Sequence, residues 1–212
     1  MRWLGGASVR NLLHVLVKNI SQPHTVFWLV LIVICSALEF SGLTMTLRFD
    51  RDLVGAGQWY RLMTANFVHL NDMHLMMNML GVVLILFFFS AQLKIMQWTA
   101  LILFASLFVG ISLMMFNPQV KTYVGLSGVL HGLFIAGAVT EIRRFPLSGW
   151  LFLAVLIVKL AWEQANGAMP GSESLIHGHV LVDSHLYGAL AGVLFLAAEF
   201  AIKTMHRMSN RL

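Results

Sequence analysis

The chain has 212 residues, 58% of them hydrophobic and only 11% charged, with a mean hydropathy of +0.80. That composition cannot cover a water-soluble surface of this size, and the single cysteine, Cys35, rules out an intramolecular disulfide. The net charge of +5 comes from basic residues spaced between apolar segments, without the dense run a nucleic-acid surface needs, so the chain reads as one polytopic membrane domain.

Residues 1–24 form an amphipathic stretch carrying Arg2, Arg10 and Lys18, expected to lie on the cytoplasmic membrane surface. Six stretches then approach the ~20 apolar residues that cross ~30 Å of hydrocarbon. They fall near 25–44, 74–93, 96–116, 125–141, 148–166 and 183–203. The first lacks a small-residue cleavage site and is read as a span, with Cys35 as a buried small hydrophobe. The expected fold is therefore all-α, a bundle of six transmembrane helices over 25–203, followed by a basic cytoplasmic tail at 204–212. With an even number of spans both termini share one side. That side holds nine basic residues (Arg2, Arg10, Lys18, Lys94, Arg143, Arg144, Lys203, Arg207 and Arg211), against four (Arg48, Arg51, Arg61 and Lys121) on the other. The positive-inside rule puts the termini in the cytoplasm and the 45–73 and 167–182 loops outside.

Depth then groups the polar residues of the spans. Ser127 lies sixteen residues before Arg143, Asn78 sixteen before Lys94, His185 eighteen before Lys203 and His74 twenty before Lys94. At the helical rise these distances are roughly 24, 24, 27 and 30 Å. Any one of these groups is accounted for by hydrogen bonding between helices in lipid. Their shared layer is not. His74 and Asn78 are four apart and share a helix face, as do Ser127 and His131. Gly128 and Gly132 on the fourth span, and Gly188 and Gly192 on the sixth, form two small-residue stripes that allow close backbone approach. Ser127, flanked by Gly125-Leu126 and Gly128, would sit at the open end of that contact with His185. A serine within reach of an imidazole is the minimum for nucleophilic catalysis.

Taken jointly, these residues resemble the rhomboid intramembrane serine proteases over about residues 57–200. The resemblance rests on Gly125-Leu126-Ser127-Gly128, the spacing of His69, His74 and Asn78, and His185 three residues before Gly188. The Trp59-Tyr60-Arg61-Leu62 run ahead of the second span completes it. The compact chain further resembles the rhombosortase branch through Gly125 to Gly132, Lys159 with Trp162-Glu163-Gln164, and Ser184 to Gly188. The substrates of that branch are exported proteins ending in a glycine-rich motif, an apolar helix and a basic tail. One departure is His131, one turn after the serine, where many rhomboids carry an aromatic such as tyrosine that packs on the catalytic histidine. His131 either fills that stacking role or competes with His185 as the base.

The resemblance implies an intramembrane serine endopeptidase with a Ser127–His185 dyad and no acidic third member. It implies an oxyanion hole made by His74, Asn78 and the Ser127 N–H, with His69 bracing the loop or lining a water entrance. It implies no cofactor and no metal, a membrane-anchored protein as substrate in a lipid bilayer, lateral substrate entry beside the fifth span, and a bacterial inner-membrane location. Asp183 lies about 200° around the helix from His185 and is read as an interfacial residue. Lys159 and Glu163, four apart in the fifth span, are expected to be a self-paired, snorkelling couple, with a gating role left open. His177 and His179 are read as exposed loop residues. Two rival classes stand beside this reading. One is a non-catalytic rhomboid-like chaperone. The other is a membrane protein binding metal through His69, His74, His177, His179 and His185.

Overall fold

Six long helices carry the fold in a computed structural model, which describes residues 22–210. They are α1 (Pro23–Phe40), α2 (Asp72–Phe89), α3 (Ile95–Phe116), α4 (Ser127–Glu141), α5 (Pro146–Asn166) and α6 (Val182–Ser209). Residues 1–21 of the expected amphipathic segment, with Arg2, Arg10 and Lys18, lie outside the described residues, and its last two, Pro23 and His24, open α1. Local chemistry sets the ends. Pro23 and Pro146 open α1 and α5, where a missing N–H costs no intrahelical bond. The Asn71 side chain caps α2 by accepting from the His74 N–H at 3.0 Å. The helix of α6 runs on to Ser209, so most of the expected basic tail continues the last span.

Five of these helices, all but α4, are long and apolar enough to cross a membrane. The fourth expected span, near 125–141, is shorter than the others. Its 15 residues rise about 22 Å, less than the ~30 Å of a hydrocarbon core. The reason lies upstream. Thr122–Tyr123 pairs antiparallel with Phe49–Asp50, and the Gly125 N–H donates to the Ala65 carbonyl at 3.0 Å. The backbone thus stays extended or turned up to Leu126, and the helix begins only at Ser127. Helix α4 packs against α2, α3, α5 and α6, and every residue from Gly128 to Leu133 is buried. It is the centre of the bundle.

Between α4 and α6 the backbones touch. A methyl group on Gly188 would lie 1.7 Å from the Gly128 carbonyl oxygen, and one on Gly192 would lie 2.5 Å from that of Gly132. Conversely, a methyl on Gly132 would lie 2.6 Å from the Gly188 oxygen. The two stripes are therefore one interlocked contact with no room for a side chain. Elsewhere larger side chains set the separation. Trp28 of α1 meets Trp98 of α3 edge to face at 5.2 Å, and Phe89 of α2 meets Phe152 of α5 at 5.0 Å.

Two arginines organise the chain between α1 and α2. Arg51 donates to the carbonyls of Leu113, Met114, Asn117 and Val120 at 2.6–2.9 Å. These include the carbonyl of Met114 in the last turn of α3, where intrahelical N–H partners run out. Arg61 is buried and donates to the carbonyls of Met45 and Arg48 and to Gln58 Oε1. The sequence shows Arg51 only as a charge on one side of the membrane, and Arg61 as a charge and as part of the Trp59-Tyr60-Arg61-Leu62 run. In the structure Arg51 anchors the segment that leads into Ser127, and Arg61 ties the chain around residues 45–58 together.

Gly188→Ala is expected to destabilise the protein by about 1–3 kcal/mol, the usual range for overpacking a tight contact. Gly55→Ala, where nothing lies within 4 Å, should stay within about 0.5 kcal/mol. Unfolding titrations in mixed detergent micelles compare the two.

Candidate active site

Ser127 is the first residue of α4, so its own N–H and those of the next two residues point out of the helix end. The turn before it depends on Gly125, whose φ of +120° lies in the region that favours glycine. A side chain there would also strike the His74 ring at 2.6 Å. The Tyr123 hydroxyl donates to the Gly125 carbonyl at 2.8 Å and holds the turn from behind.

The α4–α6 contact places His185 against this turn. His185 Nε2 lies 2.9 Å from Ser127 Oγ. On its other side, His185 Nδ1 lies 2.9 Å from Glu163 Oε2 of α5. The arrangement expected from the sequence, with no acidic partner, is not what is found: a carboxylate on the neighbouring helix holds the ring. Nor do Lys159 and Glu163 snorkel as a self-contained couple. The Glu163 side chain is 2% exposed, and its second oxygen accepts from Lys159 Nζ at 2.6 Å. Lys159 Nζ also lies 3.0 Å from His131 Nε2, and His131 Nδ1 lies 2.7 Å from the Ser127 carbonyl oxygen. The His131 and His185 rings stack at 4.2 Å with 17° between their planes.

His74 and Asn78 line the same cleft as Ser127 and His185, a space of about 1130 Å³. His74 Nδ1 accepts from the Leu70 N–H at 3.4 Å, which leaves the proton on Nε2, beside Gly125. Asn78 Nδ2 donates to the His74 carbonyl at 3.1 Å. His69 is absent from the cleft lining. It is fully buried, meets His74 edge to face at 5.3 Å, and its N–H donates to Glu39 Oε2. Burial pushes its pKa down to about 3, with the neighbouring His74 adding a smaller effect. It braces the His74 ring as a neutral wedge. Asp183 accepts from Asn117, whose side-chain oxygen accepts from Tyr187, and so it is directed away from His185.

The histidines named for a metal-binding alternative do not converge. His69 meets His74, His179 pairs with Glu173 at 2.6 Å, and His185 is engaged by Ser127 and Glu163. Among the described residues, His131, Glu163 and His185 do offer ligand atoms within 4.8 Å of one another. The Lys159 ammonium already lies between His131 and Glu163, so a side chain of the chain itself supplies the cation there.

The arrangement has the parts for acyl transfer. It has a hydroxyl bonded to an imidazole, helix-end N–H groups beside it, and an orienting carboxylate behind the imidazole. Sequence reasoning missed Glu163 as a partner of His185, although the signal was present. Glu163 lies twenty residues after Arg143 and Lys159 sixteen, or about 30 and 24 Å along the helix. That is the layer already assigned to Ser127 and His185.

Residues 56–201 match the family described as Rhomboid domain. Comparison with curated proteins finds no match.

The stack predicts a graded response at His131. His131→Phe keeps an aromatic face on His185, whereas His131→Ala removes it and opens a void. Reaction of Ser127 with a fluorophosphonate should be slowed more by Ala than by Phe, and equal slowing would mean that the stack contributes nothing.

Proposed function

This chain belongs to the rhomboid family, and on that premise we propose that it is an intramembrane serine protease acting through Ser127 and His185. The observation that carries the reading is the 2.9 Å contact between Ser127 Oγ and His185 Nε2 inside the cleft. Ser127 Oγ attacks the scissile carbonyl carbon while its proton passes to His185 Nε2. The carbonyl oxygen becomes an oxyanion, which the Ser127 N–H, His74 Nε2–H and the Asn78 amide are placed to receive. His185 then gives its proton to the leaving amine as the C–N bond breaks, and water resolves the acyl-enzyme by the same route in reverse. Having both nucleophile and base in hydrogen-bonded register favours this reading over a non-catalytic chaperone.

The cleft suggests how substrate arrives. Phe88 and Phe89 of α2 close on Phe152 of α5 at one end. Farther along, Met77 and Gly81 of α2 and Leu156 of α5 line the cleft instead, over a floor of Leu130 and Phe134. A wedge between α2 and α5, apolar at its walls and polar at its head, suits a helix entering from the bilayer.

The chain reads as a six-span protein of a bacterial inner membrane, with α4 the short central span, both termini cytoplasmic and Ser127 toward the outer face. Its basic residues support that orientation. Substrates are then single-span proteins cut near the outer end of their helix, where the backbone must unwind to reach Ser127. Glycine lowers the cost of unwinding, being about 1 kcal/mol worse than alanine per helical position. The likeness to rhombosortases in Gly125 to Gly132, Trp162-Glu163-Gln164 and Ser184 to Gly188 points to exported proteins with a C-terminal Gly-Gly, an apolar span and a basic tail.

An exported reporter fused to such a tail should be released by the wild-type protein and retained by Ser127→Ala or His185→Ala protein that still inserts. Replacing the tail glycines with Leu should slow release markedly. Release by purified Ser127→Ala protein would remove the serine mechanism, and equal release from both tails would remove the unwinding argument.

A further inference from the structure

We propose that Glu163 is a positioning residue for the base, completing a Ser127–His185–Glu163 triad, and that Lys159 fixes its charge and direction. The proposal rests on the serine-protease reading of Ser127 and His185. What carries it is a closed ring of hydrogen bonds that starts and ends on Ser127. From Ser127 Oγ it runs to His185 Nε2, from His185 Nδ1 to Glu163, and from Glu163 to Lys159. It continues from Lys159 to His131 Nε2 and from His131 Nδ1 back to the Ser127 carbonyl.

The ring admits one consistent set of protons. An ammonium only donates, so both of its partners accept: Glu163 Oε1 and His131 Nε2. The His131 proton is then on Nδ1, where the Ser127 carbonyl accepts it. A carboxylate only accepts, so His185 carries a proton on Nδ1, and in the neutral ring its Nε2 is bare toward the Ser127 hydroxyl. That is the tautomer a general base needs. One lysine charge, through one carboxylate and one imidazole, thus sets both rings.

Charge explains why both acidic and basic members are present. A lone carboxylate buried inside a membrane protein is strongly disfavoured. Lys159 balances Glu163 in the resting state. When Ser127 attacks, the proton moves from Oγ to His185 Nε2 and the carbonyl electron pair moves onto oxygen. Glu163 then faces an imidazolium and keeps its own negative charge, and the proton leaves Nε2 for the amine nitrogen as the C–N bond breaks. Glu163 therefore acts through His185 and touches no reacting atom. The spacing of four residues on α5 makes this possible by aiming both side chains from one helix face.

The test is the rate at which a fluorophosphonate labels Ser127, per folded molecule, in lipid vesicles. In Glu163→Gln the amide oxygen turns to the Lys159 ammonium and the NH2 group faces His185 Nδ1. The ring proton is forced to Nε2, and labelling should fall by about 10² to 10⁴, the upper value being that of the matching carboxamide change in a soluble Ser-His-Asp protease. Adding Lys159→Met frees the amide oxygen to accept from His185 Nδ1–H, so the double variant should label at least about ten times faster than Glu163→Gln alone, since pair partners couple non-additively. Glu163→Asp, which keeps the charge, should label faster than Glu163→Gln. A role confined to helix packing predicts lower stability in all three with labelling rates unchanged. Glu163→Gln labelling at the wild-type rate, or a double variant slower than Glu163→Gln, overturns the proposal. Wild-type protein that is not labelled at Ser127 would overturn the parent reading instead, a separate outcome.

Discussion

Everything at the site depends on the absence of side chains between α4 and α6. The Gly128 and Gly188 backbones approach so closely that a single methyl group would sit 1.7 Å from a carbonyl oxygen. In a bilayer, where lipid competes with any apolar side chain for contact, such close packing is what holds two helices in register. Register here means that Ser127, at the first residue of α4, and His185, in the first turn of α6, meet at 2.9 Å. Displacing either helix by a methyl radius would break that bond.

The second constraint is polar bookkeeping in a medium that offers no free partners. The ends of α3 and the start of α4 expose backbone groups that water would satisfy in a soluble protein. Arg51 takes up four carbonyls around the end of α3, and the Gly125 N–H bonds to Ala65. The same rule explains the ring through His185, Glu163, Lys159 and His131. Each polar group of the ring is both satisfied and given one orientation, so the bonds that make the ring tolerable in a membrane also fix the direction of the His185 imidazole.

The sequence made much of this legible, and the limits are instructive. Depth could be read because the second, fourth and sixth spans have a basic residue near one end (Lys94, Arg143 and Lys203), and Ser127, His185, His74 and Asn78 fall into one layer on that arithmetic alone. Lys159 and Glu163 fell into it too. They were set aside because an i, i+4 ion pair satisfies itself on a helix and needs no third partner to explain it. Only the packing of α5 against α4 and α6 shows that the carboxylate has a spare oxygen for His185. The short α4 was hidden for a different reason. Gly125 and Leu126 are apolar enough to extend the hydropathy of the span, whereas the φ of Gly125 takes them out of the helix. Arg51 was opaque because its four carbonyl partners lie 62 to 69 residues away, a relation that no local pattern encodes.

The most direct measurement is the protonation of His185 in a bilayer, read by 15N solid-state NMR on protein with labelled histidines, assigned with His185→Asn. The account predicts a neutral ring with its proton on Nδ1. The bare Nε2 resonance should move when Ser127→Ala removes the hydroxyl that donates to it. A proton on Nε2, or an Nε2 resonance indifferent to Ser127→Ala, would contradict it.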